Sequence, residues 1–235
     1  MAEDCSIDPQ KVSILLERNP ENAEYIKRII DNTLYITTET LIQLVRTEFS
    51  KFAKDNPNYN LFIPDTKIGS EHMLLLAMED LLHPKQILYG FQKPSNNDPI
   101  VIIDDAIYSS CNMCLYADLF QELGVKNKIH CVVAFTSCET PQLVKEFGAT
   151  IHSSFTLTHL TAKNLLYDVD IYKIFGCESQ LVLPLYFSHK IANAFGSYQF
   201  YHDIIKNPIS REIIDRIKPS DIVALINKIV LKVAK

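Results

Sequence analysis

The sequence predicts an α/β fold, a parallel sheet flanked by helices, with a helical N-terminal extension. Three observations carry that prediction. From Tyr59 to Phe155 short apolar runs alternate with helical stretches, the pattern of βαβ units. The run Ile100–Ile103 is apolar without alternation, as a strand buried on both faces is. The first sixty residues instead carry helical spacing. With 235 residues, 47% of them hydrophobic, the chain has room for one large core and an annex. We therefore expect a helical extension over 1–58 and an α/β core, with a hood and a C-terminal helix, over 59–235.

Taken in order, "DPQKVSILLERNP" offers Asp8 as N-cap and Pro9 at the first helical position, and stops before Pro20. "PENAEYIKRIIDN" spaces Tyr25, Ile26, Ile29 and Ile30 on one face. "TTETLIQLVRTEFSKFAKDNP" does the same with Leu41, Leu44, Val45, Phe49 and Phe52, with Thr37 or Thr38 as cap. "YNLFIP", "KQILYGFQ", "IVIID", "KIHCVVAF" and "ATIHSSF" read as strands. Between them "HMLLLAMEDLLHP", "NMCLYADLFQELG" and "ETPQLVKEFG" read as helices, the last two stopped by Gly124 and Gly148. "QLVLPLYF" is a further strand and "SREIIDRI" a further helix. The final helix, "PSDIVALINKIVLKVAK", places Ile222, Leu225, Ile226, Ile229, Val230 and Val233 on a stripe that could dock on this protein or on another chain, docking at home being the expectation, with Ser220 as cap.

Composition excludes several classes. A formal net charge of −5 argues against general nucleic-acid binding, which needs surplus Lys and Arg. The acidic start "MAEDCSIDPQ" is unlike a secretory signal, and no apolar run reaches a membrane span. Six cysteines are few for this length, so free thiols in the cytoplasm are expected rather than a disulfide scaffold.

The functional signal lies in "PIVIIDDAIYSSCNMC". Ligands of parallel α/β sheets gather at the C-terminal ends of strands, where helix N-termini present free N–H groups and partial positive charge. Tyr108–Asn112 falls at such a place, and Ser109 and Ser110 add hydroxyl donors for a phosphate. Asp104 and Asp105, one phosphoribose length away, suit the hydroxyls of a sugar. Adjacent acids project differently, so one would face the ligand while the other braces the loop.

"IVIIDDAIYSSCN" resembles the ribose-5-phosphate-binding motif of type I phosphoribosyltransferases: apolar residues, two acids, two more apolar residues, then a short polar loop. The resemblance implies that Asp104 and Asp105 hold the ribose of phosphoribosyl pyrophosphate (PRPP), and that Ser109, Ser110, Cys111 and Asn112 hold its 5′-phosphate. "ATIHSSFTLTHL" is similar to the late strand and turn of orotate-type members, while "IPDTKIGSE" and "LYFSHKIANAFGS" resemble phosphoribosyltransferase-like proteins of large DNA viruses. Three positions depart from the family. Tyr108 stands where a small residue is usual and crowds the phosphoribose; Ser110 replaces a glycine; Asn112 replaces a threonine.

On that resemblance, "FIPDTKIGSE" supplies the pyrophosphate loop, with Lys67 neutralising the leaving group and Gly69 and Ser70 bringing donors close. The same residues also read as a polar turn capping the next helix through Ser70. The implied reaction displaces pyrophosphate from C1 of the ribose by a nitrogen nucleophile, with Mg²⁺ bound on PRPP and no dedicated protein metal site. "YFSHKIANAFGSYQFYH" is the candidate hood over the base, with His189 and Lys190 polar and Phe195, Tyr198 and Tyr201 stacking. A homo-oligomer is expected, and helical ends offer surfaces for protein partners.

Two rivals come from other classes. An inactive phosphoribosyltransferase fold would serve as a structural or regulatory interaction module. Alternatively, Cys111 and Cys114 form a CxxC at a helix start, as in thioredoxin-like redox proteins, although Ser110 replaces the usual preceding aromatic. Zinc is disfavoured because Cys131 and Cys138 lack a second close spacing.

Overall fold

In the computed structural model, the described residues are 6–107, 111–137, 148–157, 160–161, 181–182, 185–188, 190–191, 197–207, 209 and 211–233. They fall into two compact units. One comprises Met1–Thr38 with Leu157–Glu212, the other Glu39–Thr156 with Ile213–Lys235. The division does not fall at residue 58: the third helix belongs with the sheet, and a late stretch of chain returns to the N-terminal helices.

In the first unit, helix α1 (Pro9–Arg18) starts as its sequence demands, with the Asp8 carboxylate accepting the Gln10 N–H at 2.9 Å and Pro9 in the first turn. Helix α2 (Ala23–Asp31) buries Ile26 and Ile29. Strand β1 (Leu34–Ile36) then interrupts the expected helical extension. Three residues carry no readable period, and the strand exists because β10 (Leu185–Phe187), far along the chain, pairs with it in parallel. Strand β11 (Lys190–Ile191) pairs antiparallel to β10. "QLVLPLYF" is thus β9 (Leu181–Val182) and β10, with residues 183–184 outside the described set; β8 (Leu160–Thr161) pairs with β9.

Helix α6 (Ser197–Ile204) closes this unit, packing Phe200, Tyr201 and Ile204 on Ile26, Ile29 and Tyr186. Tyr201, expected to stack on a base, is fully buried in this core, its ring 4.9 Å from that of Tyr186. Its hydroxyl meets Thr33 Oγ1 at 3.0 Å. That is a core role, the usual one for an aromatic at helical spacing. Phe195 and His189 lie outside the described residues. We expect Tyr201→Phe to cost about 1 kcal/mol in urea denaturation, the worth of one buried hydroxyl bond. An unchanged midpoint would show that the hydroxyl bond adds nothing.

The second unit is the α/β core. Its sheet runs β3 (Gln86–Tyr89), β2 (Asn60–Ile63), β4 (Ile100–Ile103), β6 (Ile129–Ser137), with β7 (Thr150–Leu157) also paired to β6. The pairs β2·β3, β2·β4 and β4·β6 are all parallel. All four residues of β2 and of β4 are buried, which is why these strands read as unbroken apolar runs. Alternation along β6 sends Ile129, Cys131 and Val133 to one face, where Met113, Ala117 and Phe120 of helix α5 (Cys111–Glu122) cover them. His130 faces the other way, 5.2 Å from the ring of Phe52 on helix α3 (Thr38–Asp55).

Helix ends follow local chemistry. At the end of α5, Gly124 takes φ 68°, its N–H bonds Gln121 O, and the Val125 N–H reaches Phe120 O at 2.9 Å, a Schellman stop. Helix α4 (Ser70–Ala77) is shorter than "HMLLLAMEDLLHP" suggests, and its N-cap is Gly69 rather than Ser70. The helix expected in "ETPQLVKEFG" lies outside the described residues. "SREIIDRI" contains only a one-turn helix, α7 (Glu212–Asp215). Helix α8 (Pro219–Val233) packs on α4 and β3 through Ile222, Leu225 and Ile229. Its cap is not Ser220, which lies inside the helix; Asp221 Oδ2 accepts the Lys218 N–H at 2.8 Å. Val230, expected on the buried stripe, is 51% exposed.

Candidate functional site

From β2 the chain moves outward to β3, and from β4 it moves the opposite way to β6. The reversal falls between β2 and β4. Outside the C-terminal ends of such a strand pair, diverging connections leave a crevice, and open α/β sheets bind ligands there. The two segments singled out in the sequence meet at this point. The loop of residues 64–69 leaves β2, and Asp104 and Asp105 leave β4.

The acids do not simply end a strand. Ile103 pairs with Val132, and beyond the acids β5 (Ala106–Ile107) pairs with Phe135 and Thr136 of the same β6 in continued register. The Asp104 N–H bonds Val132 O at 3.1 Å, and the Ala134 N–H bonds Asp105 O at 3.1 Å. Both acids therefore sit within one interrupted strand that holds their backbones fast. Their side chains differ as adjacent strand residues must. Asp105 is 0% exposed, and its Oδ1 accepts the Ala106 N–H at 2.7 Å. Asp104 is half-buried; its Oδ1 accepts the Asp105 N–H at 2.8 Å and the Ser70 hydroxyl at 3.3 Å. Asp104 reaches across to Ser70 of the neighbouring segment, and Asp105 braces the turn.

The Ser70–Asp104 bond joins the two loops across the strand pair. Ser70, expected to donate to pyrophosphate, is 5% exposed and donates to Asp104. Gly69 has extended backbone, φ −136° and ψ −169°, so no left-handed conformation requires glycine there. A side chain at Gly69 would instead run into the carboxylate of Glu71, which folds back over it. Lys67 is exposed on the loop.

The electrostatics of the crevice are acidic. On α5, Tyr116 is pushed up to about 12, mainly by burial and then by the charges of Glu71 and Asp104. Its phenol stays neutral at every physiological pH. A bare phosphate entering this field meets repulsion from Asp104 and Glu71, so it needs Lys67 or an accompanying cation.

Beside the loop lies a cleft of about 410 Å³, lined by Asp65, Lys67, Ile68, His72 and Tyr89, with Ile214 and Ile217 from the C-terminal segment among its walls. Sequence reasoning missed this contribution of residues 213–222, because short apolar positions around Pro219 carry no signal of what they face. Tyr89 donates its hydroxyl to Asp65 at 2.9 Å.

Of the other expected site residues, Tyr108, Ser109 and Ser110 lie outside the described residues. Cys111 and Asn112 form the first turn of α5, with their side chains likewise undescribed. Cys114, the second thiol of the CxxC, is half-buried a turn further on; Cys131 is fully buried, and burial pushes its thiol up, reinforced by Asp104 and Cys114. A thiol so disfavoured as an anion is a poor nucleophile. Among the described residues no cluster of three or more His, Cys, Asp or Glu could hold a metal ion. Among them, too, no helix is long and apolar enough to cross a membrane.

No protein-family model and no curated protein matches the chain. Among solved structures, it is similar to a hypothetical protein from Neisseria gonorrhoeae with bound ppGpp, at 10% identity and a TM-score of 0.37, over 54% of this chain and 85% of that one.

Proposed function

We propose that this chain binds a phosphoribosyl compound, PRPP being the reference ligand, in the crevice between β2 and β4. One observation carries the reading. The two segments that resemble a PRPP site in sequence lie at the C-terminal ends of adjacent parallel strands, on either side of the order reversal, joined by the Ser70–Asp104 bond. In this reading Asp104 accepts hydrogen bonds from the ribose hydroxyls, and the N-terminus of α5 receives the 5′-phosphate. Lys67 lies beside the pyrophosphate.

Magnesium fits the site as a passenger on the ligand. Its usual protein environment is one or two carboxylates plus substrate phosphates, rather than a full protein cage. Bound there, it would screen the charge that develops on pyrophosphate. The chain's own residues would hold the sugar, orient C1 and keep water out. The reaction served is transfer of phosphoribose to a nitrogen of a nucleobase: the C1–O bond to pyrophosphate breaks, its electron pair leaves with pyrophosphate, and a C1–N bond forms.

Calorimetric titration with PRPP and Mg²⁺ tests the reading, with ribose-5-phosphate and pyrophosphate as controls. We expect saturable binding that EDTA removes, because the crevice is acidic. Asp104→Asn should weaken it by about tenfold, the worth of one lost charged hydrogen bond, with the melting temperature unchanged. Equal affinity in wild type and variant would remove the ribose assignment. A second reading, an inactive fold kept for its surfaces, draws on the complete burial of Asp105, which keeps that carboxylate from a sugar. Absence of heat with every ligand would favour it.

A further inference from the structure

His72 is a buried side chain that holds both ends of the loop 64–69. It is 2% exposed and sits in the first turn of α4. Its Nε2 lies 3.3 Å from the Pro64 carbonyl, an arrangement that calls for an N–H on Nε2. Its Nδ1 has two neighbours. The Gly69 N–H donates to it at 3.2 Å, and Glu71 Oε1 stands 3.1 Å away.

One nitrogen cannot serve both. To accept from Gly69, Nδ1 must present its lone pair, which then faces the carboxylate of Glu71 with nothing to offer it. To bond Glu71, Nδ1 must carry a proton, which then points at the Gly69 N–H and breaks that bond. Neutral imidazole therefore pairs with Gly69 and imidazolium with Glu71. We propose that His72 is a proton-linked latch on this loop: neutral, it ties down the Gly69 amide; protonated from solvent, it passes its new N–H to Glu71 and frees the Gly69 N–H for a bound anion.

The released amide lies at the N-terminus of α4, where the helix dipole favours negative charge. The other charged and titratable groups around the loop and cleft are Asp65 and Lys67, Tyr89 from β3 and Asp215 from α7, together with Asp104, bonded to Ser70, and Tyr116 of α5, which feels the charges of Glu71 and Asp104. Among the described residues, Glu71 supplies the carboxylate within ion-pair distance of Nδ1. Gly69 matters here for space: a Cβ would displace the Glu71 carboxylate from its place beside the ring. Histidine side chains as a class change charge most readily between pH 5 and 8, which sets the range to be scanned.

The use of the freed amide by an anionic ligand rests on the phosphoribosyl reading; the latch itself does not. The first measurement is the Gly69 amide resonance in the full chain without ligand, from pH 8 to 5. We expect it to shift upfield as its bond to Nδ1 is lost. His72→Gln keeps an uncharged acceptor at the position where capping boxes use Gln, so its Gly69 amide should stay fixed. A histidine with a merely structural role would leave the wild-type amide fixed as well, and that result overturns the proposal. An equal titration in His72→Gln also overturns it, because another group would then be responsible.

The second measurement is PRPP–Mg²⁺ affinity across the same range in both proteins. Protonation of the ligand is common to both, so their ratio isolates His72. The wild type should gain on the variant by up to about tenfold per pH unit, the limit for one linked proton. Binding with a constant ratio would overturn the coupling to ligand. Absence of binding in both proteins would overturn the phosphoribosyl reading instead, and the amide titration would then decide the latch alone.

Discussion

Replacement of Phe62 by alanine should lower the stability of the sheet unit by about 3–5 kcal/mol, the range for deleting a buried phenylalanine. Phe62 is 1% exposed on β2, and three rings enclose it: Phe91 at 5.3 Å, Tyr116 at 5.3 Å and Phe120 at 5.2 Å. Tyr116 and Phe120 come from α5, so this ring is where the helix behind the acid pair is pinned to the strand that feeds the loop. The Phe62–Tyr116 and Phe62–Phe120 contacts are edge-on, the geometry aromatic pairs prefer. Urea denaturation should show a lower midpoint with an unchanged slope. Phe62→Leu should recover most of the loss. A cost below about 1 kcal/mol would mean that the surrounding rings collapse into the space and that α5 is not fixed there.

How much of this was legible in advance depends on distance along the chain. The strands β2, β3, β4, β6 and β7 and the helices α1, α3 and α5 were readable, because each carries its own period and its own stop signals. Asp8 with Pro9 and the stop at Gly124 are local devices, and both occur as expected. What depends on remote partners was not readable. β1 falls between two expected helices with no period of its own, and becomes a strand only when Leu185–Phe187 is brought beside it. Tyr201 reads equally as a stacking ring or a core ring, and only Thr33 and Tyr186 decide between them.

The candidate site shows the same divide. That Asp104 and Asp105 follow an apolar strand is plain from the sequence; that the strand resumes beyond them as β5 is not. That one is half-buried and the other sealed follows from strand alternation, but which is which needs the neighbouring elements. His72 gave no signal at all, since a histidine in an apolar helix is usually a satisfied core residue. Its two competing partners, Gly69 and Glu71, become visible only when the loop is folded.

The largest pH effect should come from a histidine pair on the other face of the sheet. His130 Nδ1 and His152 Nε2 lie 2.9 Å apart, their rings nearly parallel at 17°, with Phe52 of α3 against both. A neutral pair satisfies this contact with one N–H donating and one nitrogen accepting; charging both removes the acceptor. Burial lowers His130 from 6.5 to about 4, helped by His152 and by Lys128. Burial also lowers His152, against the opposing pull of Glu48 and Asp55. In the unfolded chain the His130 ring takes up its proton near 6.5, whereas the folded one waits until about 4. Between these values the unfolded state binds more protons, so stability is fully present above pH 6.5 and is lost as pH falls towards 4. Both rings keep partial contact with solvent, which discounts the shift to about 2 kcal/mol over that window. His130→Phe retains a ring against Phe52 but has nothing to protonate. Denaturation of both proteins from pH 7.5 to pH 4 should therefore show the variant gaining about 2 kcal/mol on the wild type as acid is added, over and above the acid loss that titrating carboxylates impose on both. A stability difference constant across that range would mean that acid loosens the fold elsewhere and that α3 is indifferent to the charge beneath it.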